Sequence, residues 1–329
     1  MPVRLTPRRL FALKGLLAAV ALGVLVARAH PAEVLARFVG ASPGWVLAAF
    51  ALLPVNVGLE AYRWWRLVRR VAPCVRYGEA LVAVVGSTPL GLLTPGRLGD
   101  YVGRALYVRE VAPGPSAALT FAERMATLAA CLVGGLVALG PYLRAHAAPS
   151  PLWPALAFAT TLGTGALLAL LLFPDLARRV VSTLVPVGPV RRAVAPFGAI
   201  PSGEAVALVA LSGLRYLVFS AQFVCLVLAF APGASWRGAA LGVALTFYAK
   251  SAVPQVTLGD LGVRESAAVF FLGAYGVGAA AALNASLAVF AVNLLLPALL
   301  GVPLLLRLRL RRADAPALAD APALAEKPA

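Results

Sequence analysis

Acid is scarce in this chain: 13 aspartates and glutamates stand against 29 lysines and arginines, and charged residues of both signs fill only 13% of its 329 positions. So little charge excludes an ordinary water-soluble domain of this size. Histidine occurs twice, at His30 and His146. The three cysteines, Cys74, Cys131 and Cys225, are single and widely separated, so they have no metal-ligand spacing and apolar packing is their expected role. The acids form no D-D-x-x-D-like cluster, and no G-x-x-x-x-G-K-[ST] string occurs that would cradle the phosphates of ATP. No metal and no cofactor is expected.

What abounds is apolar sequence, with 61% hydrophobic residues and a mean hydropathy of +0.88. A hydrocarbon core roughly 30 Å thick takes about 20 mostly apolar residues per helical crossing, and an open-ended segment satisfies its backbone there only as a helix. Runs near 10–27, 43–60, 117–140, 152–173, 205–231, 236–254, 266–283 and 284–306 predict eight transmembrane helices. A ninth apolar piece, 80–93, is short and carries Gly86, Pro89 and Gly91, so it reads as a broken or re-entrant segment. The expected fold class is all-α, a polytopic membrane helix bundle.

The net charge of +16 raises the question of nucleic acid, but the arginines stand in loops between apolar spans, where membrane topology accounts for them better. Arg4, Arg8, Arg9 and Lys14 precede the first span, and Arg63, Arg66, Arg69, Arg70 and Arg76 follow the second. Arg178, Arg179, Arg191 and Arg192 lie between the fourth and fifth, and Arg307, Arg309, Arg311 and Arg312 close the last. The positive-inside rule makes these loops cytoplasmic and puts both termini of a multi-pass plasma-membrane protein inside. The start resembles a signal peptide with Ala27-Arg28-Ala29 as a cleavage pattern, but a retained first helix is the simpler expectation. Residues 1–312 form the expected membrane domain, and the Ala- and Pro-rich 313–329 reads as a disordered cytoplasmic tail.

The two halves share a motif. Leu98-Gly99-Asp100 leads to Arg104, and Leu258-Gly259-Asp260 leads to Arg264, the same L-G-D-x-x-x-R displaced by 160 residues. Each copy follows proline-broken apolar sequence, Pro89 to Pro95 in the first and Pro254 in the second. This predicts a two-fold internal repeat, roughly 1–150 and 151–312, of the kind transporters use to build a site near mid-membrane. Counting four full spans between the copies places them on the same side, and one re-entrant segment among them would reverse that. Asp100 and Arg104, like Asp260 and Arg264, are four apart, so each pair is expected to bridge on one helix face.

A charged side chain near mid-membrane costs roughly 2.5–3.5 kcal/mol, so it faces protein or water and has a partner. Glu123, Arg124, Arg215 and Lys250 fall inside predicted spans, with Gln222 two turns beyond Arg215. Together with Arg97, Asp100, Arg104, Asp260, Arg264 and Glu265 they are the candidate headgroup-binding residues. Guanidinium forks at Arg97, Arg104, Arg109 and Arg264 suit a phosphate held through paired hydrogen bonds, whereas salt bridges that only staple re-entrant loops are the structural alternative.

At these residues the sequence resembles the lysylphosphatidylglycerol synthase transmembrane region, also called flippase-like membrane proteins. The resemblance rests on Arg63-Trp64-Trp65-Arg66-Leu67, on Thr94-Pro95-Gly96-Arg97-Leu98-Gly99-Asp100 leading to Arg104, on Glu123-Arg124, and on Leu261-Gly262-Val263-Arg264-Glu265. The chain departs from the family pattern at Thr127, where an acid is common, and in an Asp100-to-Arg104 spacing one residue longer than usual. The resemblance implies movement of an anionic or phosphate-bearing lipid, a phospholipid or a polyprenyl-phosphate-linked one, between leaflets. It does not imply the aminoacyltransferase chemistry of larger relatives, because only about 20 residues follow the last span. The expected protein is a non-enzymatic lipid transporter whose partners are membrane lipids and, as a further class, enzymes of envelope-lipid or glycan synthesis, with no nucleic acid. A polyprenyl-phosphate transferase using Asp100 and Asp260, or a non-catalytic scaffold of an envelope pathway, is the alternative.

Overall fold

The computed structural model describes residues 23–24, 26–27, 30–94, 97–146, 152–184, 200–252 and 262–313. The span expected at 10–27 lies mostly outside them, as do Leu258-Gly259-Asp260 and the expected tail. Every regular element among the described residues is helical: α1 (Pro31–Val39), α2 (Pro43–Val68), α3 (Tyr77–Leu93), α4 (Leu98–Tyr107), α5 (Pro113–His146), α6 (Leu152–Leu172), α7 (Pro174–Leu184), α8 (Ser202–Phe230), α9 (Trp236–Ala252), α10 (Val263–Gly273), and α11 (Ala279–Phe290), which runs through a π-turn at Ala291–Leu295 into α12 (Leu296–Ala313). Among the described residues, five helices are long and apolar enough to cross a membrane: Pro43–Val68, Pro113–His146, Pro154–Leu172, Ser202–Phe230 and Ala279–Leu308.

One expected span is corrected. Residues 266–283 do not form a single helix, because α10 ends at Gly273 and the chain turns through Gly276, at φ 82°, and Gly278 before α11 begins. A left-handed backbone suits glycine and stops an α-helix. Hydropathy misses the break, since alanine and leucine continue on both sides of it.

α2 and α8 pack antiparallel at the centre. The Ser42 N–H, just before α2, donates to the Ala229 carbonyl near the end of α8 at 2.9 Å, and at the opposite end Arg66 meets Glu204 at 2.9 Å. That second end also gathers Arg69, Arg70, Arg76, Arg178 and Arg179, all exposed, and is called the basic end below. α5 starts there, with the Trp64 indole donating to the Thr120 hydroxyl at 3.2 Å, and finishes at the other end, where His146 stacks on Tyr142 and meets Tyr275 edge-on.

The apolar piece after α2 forms a helical hairpin. α3 leaves the basic end, and α4 returns to it, so that Val108 and Val111 pack in one cluster with Ala72 and Val75. The hairpin is tight because small residues face each other. A Cβ on Gly99 would sit 2.1 Å from the Leu90 carbonyl oxygen, and one on Gly103 would sit 2.7 Å from Ser87 Cβ. Thr94 clasps the tip, its hydroxyl donating to the Leu90 carbonyl at 2.8 Å and accepting the Gly99 N–H at 2.6 Å. α9 and α10 make a second hairpin of similar size, 17 and 11 residues against 17 and 10. This one opens at the other end, where Gly238 faces Tyr275. The first motif copy and Arg264 of the second therefore lie in hairpins that open to opposite ends.

Candidate functional site

α2 continues past its expected end at residue 60 and remains helical to Val68. Glu60, Arg63, Trp64 and Leu67 then fall at i, i+3, i+4 and i+7, one stripe facing α5 and α8. Glu60 lies eight residues before the end of α2, about 12 Å along the helix axis. Glu123 and Thr127 share a face of α5, and Ser212 and Arg215 share one of α8.

These faces meet in a buried ionic network. Arg63 binds Glu123 at 2.8 Å and donates to the hydroxyls of Ser212 at 2.6 Å and Thr127 at 2.9 Å. Arg104, on α4, reaches the other oxygen of Glu123 and also binds Glu60 at 2.8 Å, with its guanidinium 5.6 Å from the centre of the Trp64 ring. The second oxygen of Glu60 binds Arg215 at 2.7 Å. Arg63 and Arg104 are each 1% exposed and Glu123 2%, so these charges are held by one another and not by water. Beside them, at the hairpin tip, Asp100 pairs with Arg124 and, at 2.9 Å, with Arg97. Arg97 holds φ 55°, a left-handed conformation that strains a residue with a Cβ.

The expected bridge between Asp100 and Arg104 is corrected. Asp100 turns to Arg97 and Arg124, and Arg104 turns to Glu60 and Glu123, because α2 and α5 offer carboxylates from outside the hairpin. Arg264 does not join the network. It binds Glu265 and donates to Ser286 at 3.0 Å, while Glu265 accepts the Gly262 N–H at 2.7 Å and so caps α10. Lys250 stands half-buried in the last turn of α9, within electrostatic reach of Cys131. Arg109 is exposed in the turn after α4, and Asp260 lies outside the described residues.

Residue-by-residue reading missed Glu60, the acid that joins Arg104 to Arg215, because it sits at the edge of an apolar run where a helix end was expected. It also missed Glu204, whose carboxylate takes Arg66 and Arg70 and ties α8 to α2 at the basic end. Gln222 joins an amide ladder near the middle of α2: Asn56 donates to Gln222 at 3.2 Å and to Asn293, in the π-turn, at 2.7 Å. Such polar groups in an apolar bundle hold only when bonded to each other.

On the far side of α8 from Glu60, an apolar cavity of about 750 Å³ opens between α5, α6, α8 and α9, lined by Val133, Val137, Leu168, Tyr216, Leu217 and Val224 among others. α8 thus presents Arg215 to the ionic network and Tyr216 to the cavity. An apolar chain and a charged group can be held within one helix width of each other.

No curated protein and no solved structure matches the chain. Residues 11–301 match the family described as the lysylphosphatidylglycerol synthase TM region, and this integral membrane protein belongs to it.

Proposed function

We propose that the protein is a lipid flippase that moves an anionic, phosphate-bearing lipid between leaflets without chemically changing it. The observation that carries this reading is the buried ionic network of Glu60, Arg63, Arg104, Glu123 and Arg215, which reaches Glu60 about 12 Å along the axis from the end of α2 and lies one helix away from an apolar cavity. A buried charge cluster of this kind is costly, and in a membrane protein it marks a polar path. Family membership supports a place in lipid or envelope metabolism.

The reading includes two inverted halves. Each half would run span, short amphipathic helix, span, broken hairpin, span, with α1 to α5 matched by α7 to α12 and α6 matched by the segment before α1. Support comes from the two helical hairpins opening to opposite ends, from the antiparallel pairing of α2 with α8, and from crossed packing between the halves. Gly301 of α12 lies against the Val85 carbonyl of α3, as Gly135 of α5 lies against Tyr248 of α9. An odd number of full spans per half inverts the second relative to the first. The full complement of spans, a plasma-membrane location, and a basic end and both termini in the cytoplasm belong to the same proposal, the last through the positive-inside rule.

The test is reconstitution. Purified protein in liposomes should accelerate inward and outward movement of a fluorescent anionic phospholipid over protein-free vesicles. Equal rates with and without protein contradict the reading.

A further inference from the structure

The charges around the first hairpin do not balance. Among the described residues, Arg63, Arg97, Arg104, Arg124 and Arg215 share only Glu60, Asp100 and Glu123, a surplus of two positive charges. The five belong to one field, since the Glu60 carboxylate interacts electrostatically with Arg97, Arg104, Arg124 and Arg215 and also with Arg63, which binds Glu123 directly. Each carboxylate is already divided between two arginines, so none is left to neutralise the excess.

Hydrogen bonding shows the same deficit. Among the described residues, the buried Nε–H groups of Arg63, Arg97, Arg104 and Arg124 find no acceptor, and one oxygen of Asp100 finds no donor. Arg63 and Arg104 are almost wholly enclosed. Buried guanidinium donors without acceptors are unstable on their own, and the group that satisfies several at once is a compact oxyanion with multiple acceptor oxygens. Apolar neighbours and hydroxyls such as Thr127 and Ser212 add no charge.

We infer, building on the flippase reading, that the headgroup held here is a dianion of the terminal phosphomonoester class and not a singly charged phosphodiester. A phosphomonoester carries about −1.5 to −2 at neutral pH and presents three terminal oxygens, which matches the surplus of two. A phosphodiester leaves one guanidinium unpaired. Arg97 and Arg124 receive the phosphate first, because at 23% exposed they are the open edge of the cluster.

The experiment compares three fluorescent lipids in proteoliposomes: phosphatidic acid, phosphatidylglycerol and phosphatidylcholine. Phosphatidic acid should move about tenfold faster than phosphatidylglycerol, the discrimination expected for one charge-assisted contact in a partly buried site, and phosphatidylcholine should stay near the protein-free rate. Thr127→Glu, which sets a third Glu beside Arg63 and lowers the surplus to one, should cut that preference severalfold. In detergent, phosphatidic acid should raise the thermal midpoint of the purified full chain more than phosphatidylglycerol or inorganic phosphate does, a readout independent of transport. Equal acceleration of both anionic lipids overturns the dianion assignment and leaves the flippase reading intact. No acceleration of any lipid overturns the flippase reading itself, and stabilisation by inorganic phosphate as strong as by phosphatidic acid assigns the cluster to a free anion instead of a lipid.

Discussion

Arg63 of α2 and Glu123 of α5 meet at 2.8 Å across 60 residues of sequence, and the same glutamate's other oxygen holds Arg104 of the hairpin. Glu123 is therefore the joint between α2, α5 and the first helical hairpin. Removing it leaves the enclosed Arg63 without a carboxylate and Arg104 with Glu60 alone.

Glu123→Ala should destabilise the protein by about 3–5 kcal/mol, the range seen when one partner of a buried ion pair is lost. Thermal unfolding in detergent measures it. Glu123→Gln keeps the shape and some hydrogen bonding and should lose less. If Glu123→Ala melts like the parent, the network does not hold these elements together.

The hairpin makes a prediction about backbone approach. Gly99→Ala places a methyl 2.1 Å from the Leu90 carbonyl oxygen, contact too close for any real Cβ, so α4 has to move away from α3. Transport and thermal midpoint should both fall. Gly163→Ala in α6 meets nothing within 4 Å, and alanine is the better helix former, so this control should be neutral or slightly stabilising.

At the basic end, Glu204 ties Arg66 and Arg70 to the start of α8. Both arginines are partly exposed, at 31% and 48%, so Glu204→Gln should cost no more than about 1 kcal/mol. Its larger effect should be on access. In a background with the three native cysteines replaced, the buried Ser212→Cys should react faster with a thiol reagent when Glu204→Gln is added, and an unchanged rate means that this contact does not limit access to the network from the basic end.

Topology is open to labelling at native and introduced thiols. Cys74 is exposed in the turn between α2 and α3 at the basic end. A membrane-impermeant maleimide should reach it only in inside-out vesicles, while Ser235→Cys, in the turn between α8 and α9, should label in intact cells once an outer membrane, where present, is permeabilised. The opposite pattern reverses the orientation.

Much of this was legible in the sequence for physical reasons. Apolar runs at 43–60, 117–140, 152–173 and 205–231 each became a helix, because the bilayer's demand for internally satisfied backbone leaves a long apolar run little choice. Gly86, Pro89 and Gly91 marked 80–93 as broken, yet α3 runs unbroken through all three, and the hairpin uses Gly86 and Gly91 for the close approach of Tyr107 and Asp100. Glu123, Arg124 and Arg215 stood out because charge inside an apolar run is costly enough to require a partner. The identity of the partners was not legible. Asp100 and Arg104 have helical spacing for a bridge, yet carboxylates and guanidiniums from α2 and α5 win over it, and only the packing of three helices brings them there. Glu60 was hidden at a span edge, and the α10–α11 break was hidden by alanine.

The central claim is that this network handles the lipid's charged group. The most direct measurement is the rate of fluorescent phosphatidic acid movement in liposomes holding parent protein, Arg104→Ala, or Arg178→Ala, each first shown by size exclusion and circular dichroism to be folded. Arg178, 68% exposed and paired with Asp175 on α7, is the control. The account predicts that Arg178→Ala keeps the parent rate and that Arg104→Ala loses at least about tenfold, the factor for one charged hydrogen-bonded contact. A folded Arg104→Ala protein that moves the lipid at the parent rate would contradict it.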